Sequence, residues 1–370
     1  MKNLKTILLI TTVSLITSCK FQDKESISDN QIKRYEKQIL LFQKEYSIPG
    51  LAVGISLNDS LIYSKGFGFS DIENQIKVTP NTPFRIASIT KPFTVAVLMK
   101  LVEDGKINLD WKIKDYYPDY LGSCERILGY FNTDMPEYSF LLNQYQPNRD
   151  DITLKHHLSH TAEKVPGESY KYNGFLFGML SDVIETVTLS KFDILVDNLI
   201  IKKLNLKNSL SSQLDTSKPN VIKSLAKPYI IKSNGTFEIG EYPDLELNAG
   251  AGIISTVTDL MKFDNAINQN LLVKESTKKE QFQPLILNNG DISPYGLGWF
   301  TQKYKGYTLI WHNGWQPNSY SGLYLKVLEK NLTLVLLANS EGLSAPFELG
   351  KGDVLSSDFA KSFLELVINE

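Results

Sequence analysis

Strand-like sequence lies at both ends of this chain and helix-like sequence in its middle, and that distribution restricts the fold more than any single motif does. Near the start, IPGLAVGISLNDSLIYSKGFGFSD reads as two strands joined by a turn at Asn58-Asp59. The C-terminal part holds four more candidates: YGLGWFTQKY, YTLIWHNGW, YSGLYLKVLE and LTLVLLAN. The last two flank a short turn at Glu329-Lys330-Asn331. Strands at both ends with helices between them predict an α+β fold. Its antiparallel sheet is built from both termini and flanked by helices, and a helical lobe is inserted over about residues 92–250.

Helical periodicity appears from about Gln31 to Tyr46, with Ile32, Tyr35, Ile39 and Phe42 on one stripe. The segment after NTPFRIAS carries Val95, Leu98 and Val102 on one side and stops at Asp104-Gly105. Further helices are expected near Leu154–Leu158, Phe177–Val187 and Lys191–Leu204, one capped near Ser255 or Thr256, and a last one in SSDFAKSFLELVIN. Residues 121–150 show no clear period and read as an inserted loop; 210–247 read as irregular.

The first residues belong to export rather than to the fold. Lys2 and Lys5 precede an apolar run from Ile7 to Ile16, and Thr17, Ser18 and Cys19 follow. Residues 1–18 read as a secretory signal peptide, too short for a membrane span. Leu15-Ile-Thr-Ser-Cys19 resembles a bacterial lipobox, which makes Cys19 the lipidated residue and 19–30 a polar tether. Lys20 beside it points to the outer membrane. One other cysteine exists, Cys124, so acylation of Cys19 leaves no internal disulfide. The charge is nearly balanced, 39 basic against 41 acidic residues, and no basic block is present, which argues against a nucleic-acid partner.

Ser-x-x-Lys, which puts a hydroxyl and an amine on one helix face, occurs three times. Ser276-Thr-Lys-Lys279 lies among Lys274, Glu275 and Glu280, on a charged face where a lysine keeps its proton. Ser224-Leu-Ala-Lys227 runs into Pro228 in irregular sequence. Ser88-Ile-Thr-Lys91 opens a long apolar helix. Free backbone N–H groups and the positive dipole end there stabilise an oxyanion, and burial moves a lysine toward the neutral form a base requires.

The ordered set IPGLAVGIS, KGFGFSD, TPFRIASITK, LKHHLSHT, AGAGIISTVTDL, YGLGWF and WHNG resembles the serine β-lactamase-like family over about Ile32–Phe363. That family includes class C β-lactamases, D-alanyl-D-alanine carboxypeptidases and related esterases. The resemblance implies a serine hydrolase domain over 31–370 that works through an acyl-enzyme and needs no cofactor. Its substrate would be a D-alanyl peptide, a β-lactam or a small ester. Ser88 then matches the nucleophile, Lys91 the base and Tyr172 the motif tyrosine; Gly174 falls where asparagine usually sits. A shifted register would use Tyr170 and leave Asn173 as a misplaced amide. His312-Asn313-Gly314 stands where Lys-Thr-Gly is common, and the N–H of Trp315 becomes the second oxyanion donor. His312, Asn313, Gly314 and Trp315 are thus expected to bind substrate. The family's His-Thr-Ser-Gly becomes His160-Thr-Ala-Glu163 here. Together with Gly174, that departure motivates an alternative, a non-catalytic binding lipoprotein on the same scaffold. No metal site is expected. His156 and His160 are four apart, but position 157 is histidine, not the glutamate of a zinc protease. The sequence carries no signal for oligomeric state.

Overall fold

The computed structural model describes residues 27–133, 145–232, 234–240, 242 and 246–368. The signal peptide, Cys19 and most of the tether lie outside them, as does the 134–144 part of the expected insertion. The helices are α1 Asp29–Glu45, α2 Thr90–Glu103, α3 Ile113–Tyr116, α4 Tyr120–Thr133, α5 Leu154–Leu158, α6 Gly174–Gly178, α7 Leu180–Thr188, α8 Phe192–Val196, α9 Pro219–Lys223, α10 Val257–Asn268, α11 Glu275–Phe282 and α12 Asp358–Ile368. The strands are β1 Gly50–Leu57, β2 Ser60–Asp71, β3 Ile76–Lys77, β4 Phe84–Arg85, β5 Tyr229–Ile231, β6 Phe237–Ile239, β7 Ile254–Ser255, β8 Phe300–Tyr304, β9 Tyr307–Gln316, β10 Tyr320–Val327 and β11 Leu332–Ala338.

Seven strands form one sheet in the order β3-β2-β1-β11-β10-β9-β8. The N-terminal hairpin turns at Asn58 and Asp59, whose φ values of 51° and 63° are left-handed, the geometry that a tight hairpin selects and that Asn and Asp tolerate. Its outer partner comes from the far end of the chain: β1 pairs antiparallel with β11, Leu51 opposite Ala338 and Leu57 opposite Leu332. Period-two alternation then separates the faces. Ile55, Leu334, Leu325 and Trp311 are opposite one another across four strands and share the core under α1 and α12. Ala52, Val335, Leu337 and Tyr324 belong to the core on the other face, with α2, α10 and the helical lobe. Each such aliphatic side chain contributes roughly 1.5–3 kcal/mol by leaving water.

Helix α2 is the central post. The sequence suggested one apolar side, but Thr90–Met99 is buried without interruption, so the helix is enclosed all round. Pro92 sits in its first turn, where a missing N–H breaks no helical bond. The cap of α10 is Thr256, whose hydroxyl accepts from the Asp259 N–H at 3.1 Å. The start of the 121–150 segment, expected to be a loop, is instead a helix, α4. Tyr120 and Cys124 are buried on it, with Ile127 and Leu128 packed beside them. Its inward stripe uses a tyrosine and a cysteine, so a purely aliphatic count misses it. Residues 229–239, expected to be irregular, include the β5–β6 hairpin.

A buried ion pair ties α10 to the sheet. Asp264 receives the Lys326 ammonium, the Tyr324 hydroxyl at 2.6 Å and the Thr333 hydroxyl at 2.9 Å, all away from water. Removing one partner strands the other charge, so Asp264→Ala should cost about 3–5 kcal/mol in chemical denaturation. A loss under about 1 kcal/mol, as for an exposed pair, contradicts this account.

Candidate active site

The site begins at a strained turn. Strand β4 pairs with β7, and the Ile86 N–H donates to the Ile253 carbonyl at 3.1 Å. Ala87 then takes a left-handed φ of 46°, which costs an L-residue on the order of 1–2 kcal/mol. That reversal sets Ser88 in a single 3-10 turn, Ala87–Ile89, that runs straight into α2. Lys91 follows within the first turn of the helix, and its Nζ donates to Ser88 Oγ at 2.8 Å and to the Gly250 carbonyl at 3.1 Å. Lys91 is fully buried, and that desolvation lowers its pKa to about 7.

Tyr172 reaches the same spot from the lobe. Its phenol interacts with the Ser88 side chain, and burial pushes its pKa well up, which keeps the phenol protonated. Lys91 Nζ lies 5.1 Å from the Tyr172 ring centre and 5.3 Å from that of Phe177. Gly174 also faces the amine: a Cβ built there meets Lys91 Nζ at 3.9 Å and no other atom within 4 Å. The space beside the Lys91 amine is therefore open at the position expected to carry an asparagine. Asn173 does not fill it. Its Oδ1 caps α6 by accepting from the Phe175 and Leu176 N–H groups at 3.1 and 3.2 Å.

The sheet closes the third side. The β8–β9 ladder stops at Trp311, which leaves the β9 edge beyond it unpaired by β8. Gly314 packs there against the Ser88 turn. A Cβ at 314 would stand 2.3 Å from the Ile86 carbonyl oxygen, so only glycine permits this approach. Trp315 follows, 48% exposed, its indole N–H donating to Glu341 at 3.2 Å. Asn313 is half-buried. His312 differs from the expected substrate ligand, because it is fully buried and both ring nitrogens are engaged. Nδ1 lies 2.7 Å from the Asn313 carbonyl and Nε2 2.8 Å from the Tyr295 hydroxyl. A carbonyl only accepts, so Nδ1 carries the proton and Nε2 accepts from the tyrosine. Burial and the nearby Lys91 hold its pKa far below the usual range, so the ring is neutral.

The other two Ser-x-x-Lys copies have no such surroundings. Ser224 is exposed just past α9, and Lys227 pairs with Asp71 at 2.9 Å and Glu73 at 3.1 Å. Ser276 is exposed on α11, where Lys279 pairs with Glu275 at 2.7 Å. The three neighbouring histidines turn to separate partners: His156 to the Thr153 N–H, His157 to Tyr145 and the Leu176 carbonyl, and His160 to the Asn173 N–H. Two contributors were missed by sequence reasoning. Gly250 offers only a backbone oxygen, for which no side-chain signal exists. Tyr295 opens YGLGWF, but nothing local pairs it with His312.

A seven-stranded antiparallel sheet flanked by helices on both faces, with this turn-and-helix corner, is a β-lactamase/transpeptidase-like fold. A family model described as Beta-lactamase matches residues 32–356, and the chain belongs to that family. A penicillin-binding protein of Bacillus subtilis (strain 168) is 27% identical over 306 residues, which cover 76% of this chain and 66% of that protein. The chain thus spans just under two thirds of that relative's length. Among solved structures, the octameric penicillin-binding protein homologue from Pyrococcus abyssi has a TM-score of 0.73 at 21% identity, over 92% of this chain and 78% of that one. The D-amino acid amidase of Ochrobactrum anthropi SV3, complexed with L-phenylalanine amide, scores 0.66 at 18% identity over 91% and 98%. At these identities the two structures report on fold alone.

Burying an amine that ionises only near neutral pH opposes folding. The penalty is complete below pH of about 7 and vanishes as pH rises toward 10.5, the value of a free lysine. Lys91→Met should therefore raise the melting temperature, and by more at pH 6 than at pH 9.5. Equal shifts at the two pH values would contradict a buried neutral lysine.

Proposed function

We propose that this protein is a serine hydrolase that forms an acyl-enzyme on Ser88 and then releases it to water. The observation that carries the reading is a fully buried lysine, near neutrality, with its amine 2.8 Å from the Ser88 oxygen. A neutral Lys91 accepts the Ser88 proton as Oγ attacks a carbonyl carbon. The Tyr172 phenol, too weak an acid to serve as a standing base, relays a proton to the leaving group. The backbone N–H groups of Ser88 and Trp315 take up the oxyanion, each such donor being worth about 10²–10³ in rate. Water then enters on the vacated side, and Lys91 again accepts the proton.

Two features bear on substrate class. The position where relatives carry lysine holds a neutral, engaged His312, so that strand offers no fixed cation for a substrate carboxylate. Gly174 contributes no amide to a β-lactam side chain. Both favour an uncharged ester, amide or peptide-like acyl group over a carboxylate-bearing β-lactam.

Ser88→Ala should abolish labelling by a serine-reactive phosphonate and the acyl adduct in intact-mass spectra. The wild-type labelling rate should rise as pH increases through about 7, because protonated Lys91 is inactive. Labelling that survives Ser88→Ala overturns the mechanism. Tight binding with no adduct points instead to the non-catalytic scaffold. In parallel assays, a short-chain nitrophenyl ester should turn over faster than a D-alanyl peptide, with a chromogenic cephalosporin slowest. The reverse order contradicts the substrate reading.

A further inference from the structure

We infer that His160 and Glu163 are positioning residues that form a clamp around Tyr172. The inference rests on the role proposed for Tyr172 above. Four hydrogen bonds from this short segment grip the residues immediately before and after the tyrosine. The His160 carbonyl accepts from the Lys171 N–H at 2.9 Å, and His160 Nδ1 accepts from the Asn173 N–H at 3.1 Å. Glu163 repeats the pattern with side chains. One carboxylate oxygen meets Lys171 Nζ at 2.7 Å, and the other accepts from Asn173 Nδ2 at 2.8 Å. The backbone and the side chains on both flanks of Tyr172 are thus held by the same two residues.

The clamp also touches the tyrosine itself. The His160 ring lies 4.3 Å from the Tyr172 ring, centre to centre, and Phe300 stacks on it nearly parallel at 5.9 Å. His160 adopts a left-handed φ of 56°, a conformation in which histidine is over-represented. Glu163 and His160 are both 3% exposed, so their hydrogen bonds lie in low dielectric and lose little to solvent competition. A tyrosine on an unsupported loop would sample positions away from Ser88, and a displacement near 1 Å costs about 10²-fold in rate.

This arrangement accounts for two departures in the sequence together. Glu163 replaces the glycine of the family's His-Thr-Ser-Gly, and Asn173 is the amide one place early. In the fold they are each other's partners. The amide that relatives present beside the base serves here to hold the tyrosine's neighbour, and position 174 is left as glycine.

The test is a double-mutant cycle read by the phosphonate labelling rate of Ser88. Glu163→Ala should slow labelling about 10- to 100-fold in the wild-type background. In a Tyr172→Phe background the same change should alter the rate by less than about twofold, since its effect passes through the tyrosine hydroxyl. His160→Asn, which keeps an acceptor near the place of Nδ1, should retain far more activity than His160→Leu. Equal losses from Glu163→Ala in both backgrounds, or none in either, overturn the proposal. Absence of labelling in every protein, wild type included, means instead that the serine-hydrolase reading has failed. Amide hydrogen exchange then decides on the clamp without any activity. Peptides spanning 168–176 should exchange faster in Glu163→Ala and in Glu163→Gln than in the wild type, with both variants still melting cooperatively. Unchanged exchange in that segment overturns the clamp.

Discussion

One buried amine governs the arrangement of this molecule. Lys91 keeps its place only if three separate parts of the chain close over it. Gly250 supplies a carbonyl from the loop ahead of α10, Tyr172 supplies a ring and hydroxyl from the lobe, and α2 encloses the stem. Burial beneath them withdraws water from the ammonium form, and that desolvation lowers its pKa to about 7. The packing that seals the lysine from solvent is also what shifts its protonation.

That seal depends on close approach. The Ser88 turn and the end of β9 can meet because position 314 lacks a Cβ, and the reversal at Ala87 aims the serine outward from a buried strand. The other serine–lysine pairs show what the same four letters do without those constraints. On α11 and beyond α9 the lysines pair with carboxylates instead. The spacing in sequence is the same in all three copies, whereas only the buried helix start at Ser88 brings the amine onto the hydroxyl and changes what the amine can do.

Much of the fold was legible because its signals are local. The Asn58-Asp59 turn, the Thr256 cap and the alternation in the C-terminal strands each follow from a few neighbouring residues. Helix α4 was not, because Tyr120 and Cys124 carry its buried stripe. Within the site, Ser88, Lys91, Tyr172 and Gly314 could be placed by motif order, and the structure brings them together. The state of His312 could not. Its neutrality comes from burial and the nearby Lys91, and its partner Tyr295 reaches it through the fold and not through any spacing in the sequence. The pairing of Glu163 with Asn173 was equally hidden, since each looks, by itself, like a residue out of place.

The strand that joins the two ends of the chain has a kinetic consequence. Leu51 must find Ala338, so the central sheet is assembled from contacts between distant parts of the polypeptide. Such topologies fold slowly, because closing the longest loop precedes the gain in packing. Strand β9 and its partners β10 and β11 are also synthesised after α2 and the lobe. A chain that has completed only its N-terminal hairpin, α2 and the lobe possesses Ser88 and Lys91 but neither the sheet edge that faces them nor the full core that dries the amine. Its lysine remains an ordinary solvated cation. Under the mechanism proposed above, the nascent polypeptide is therefore chemically silent until the sheet closes.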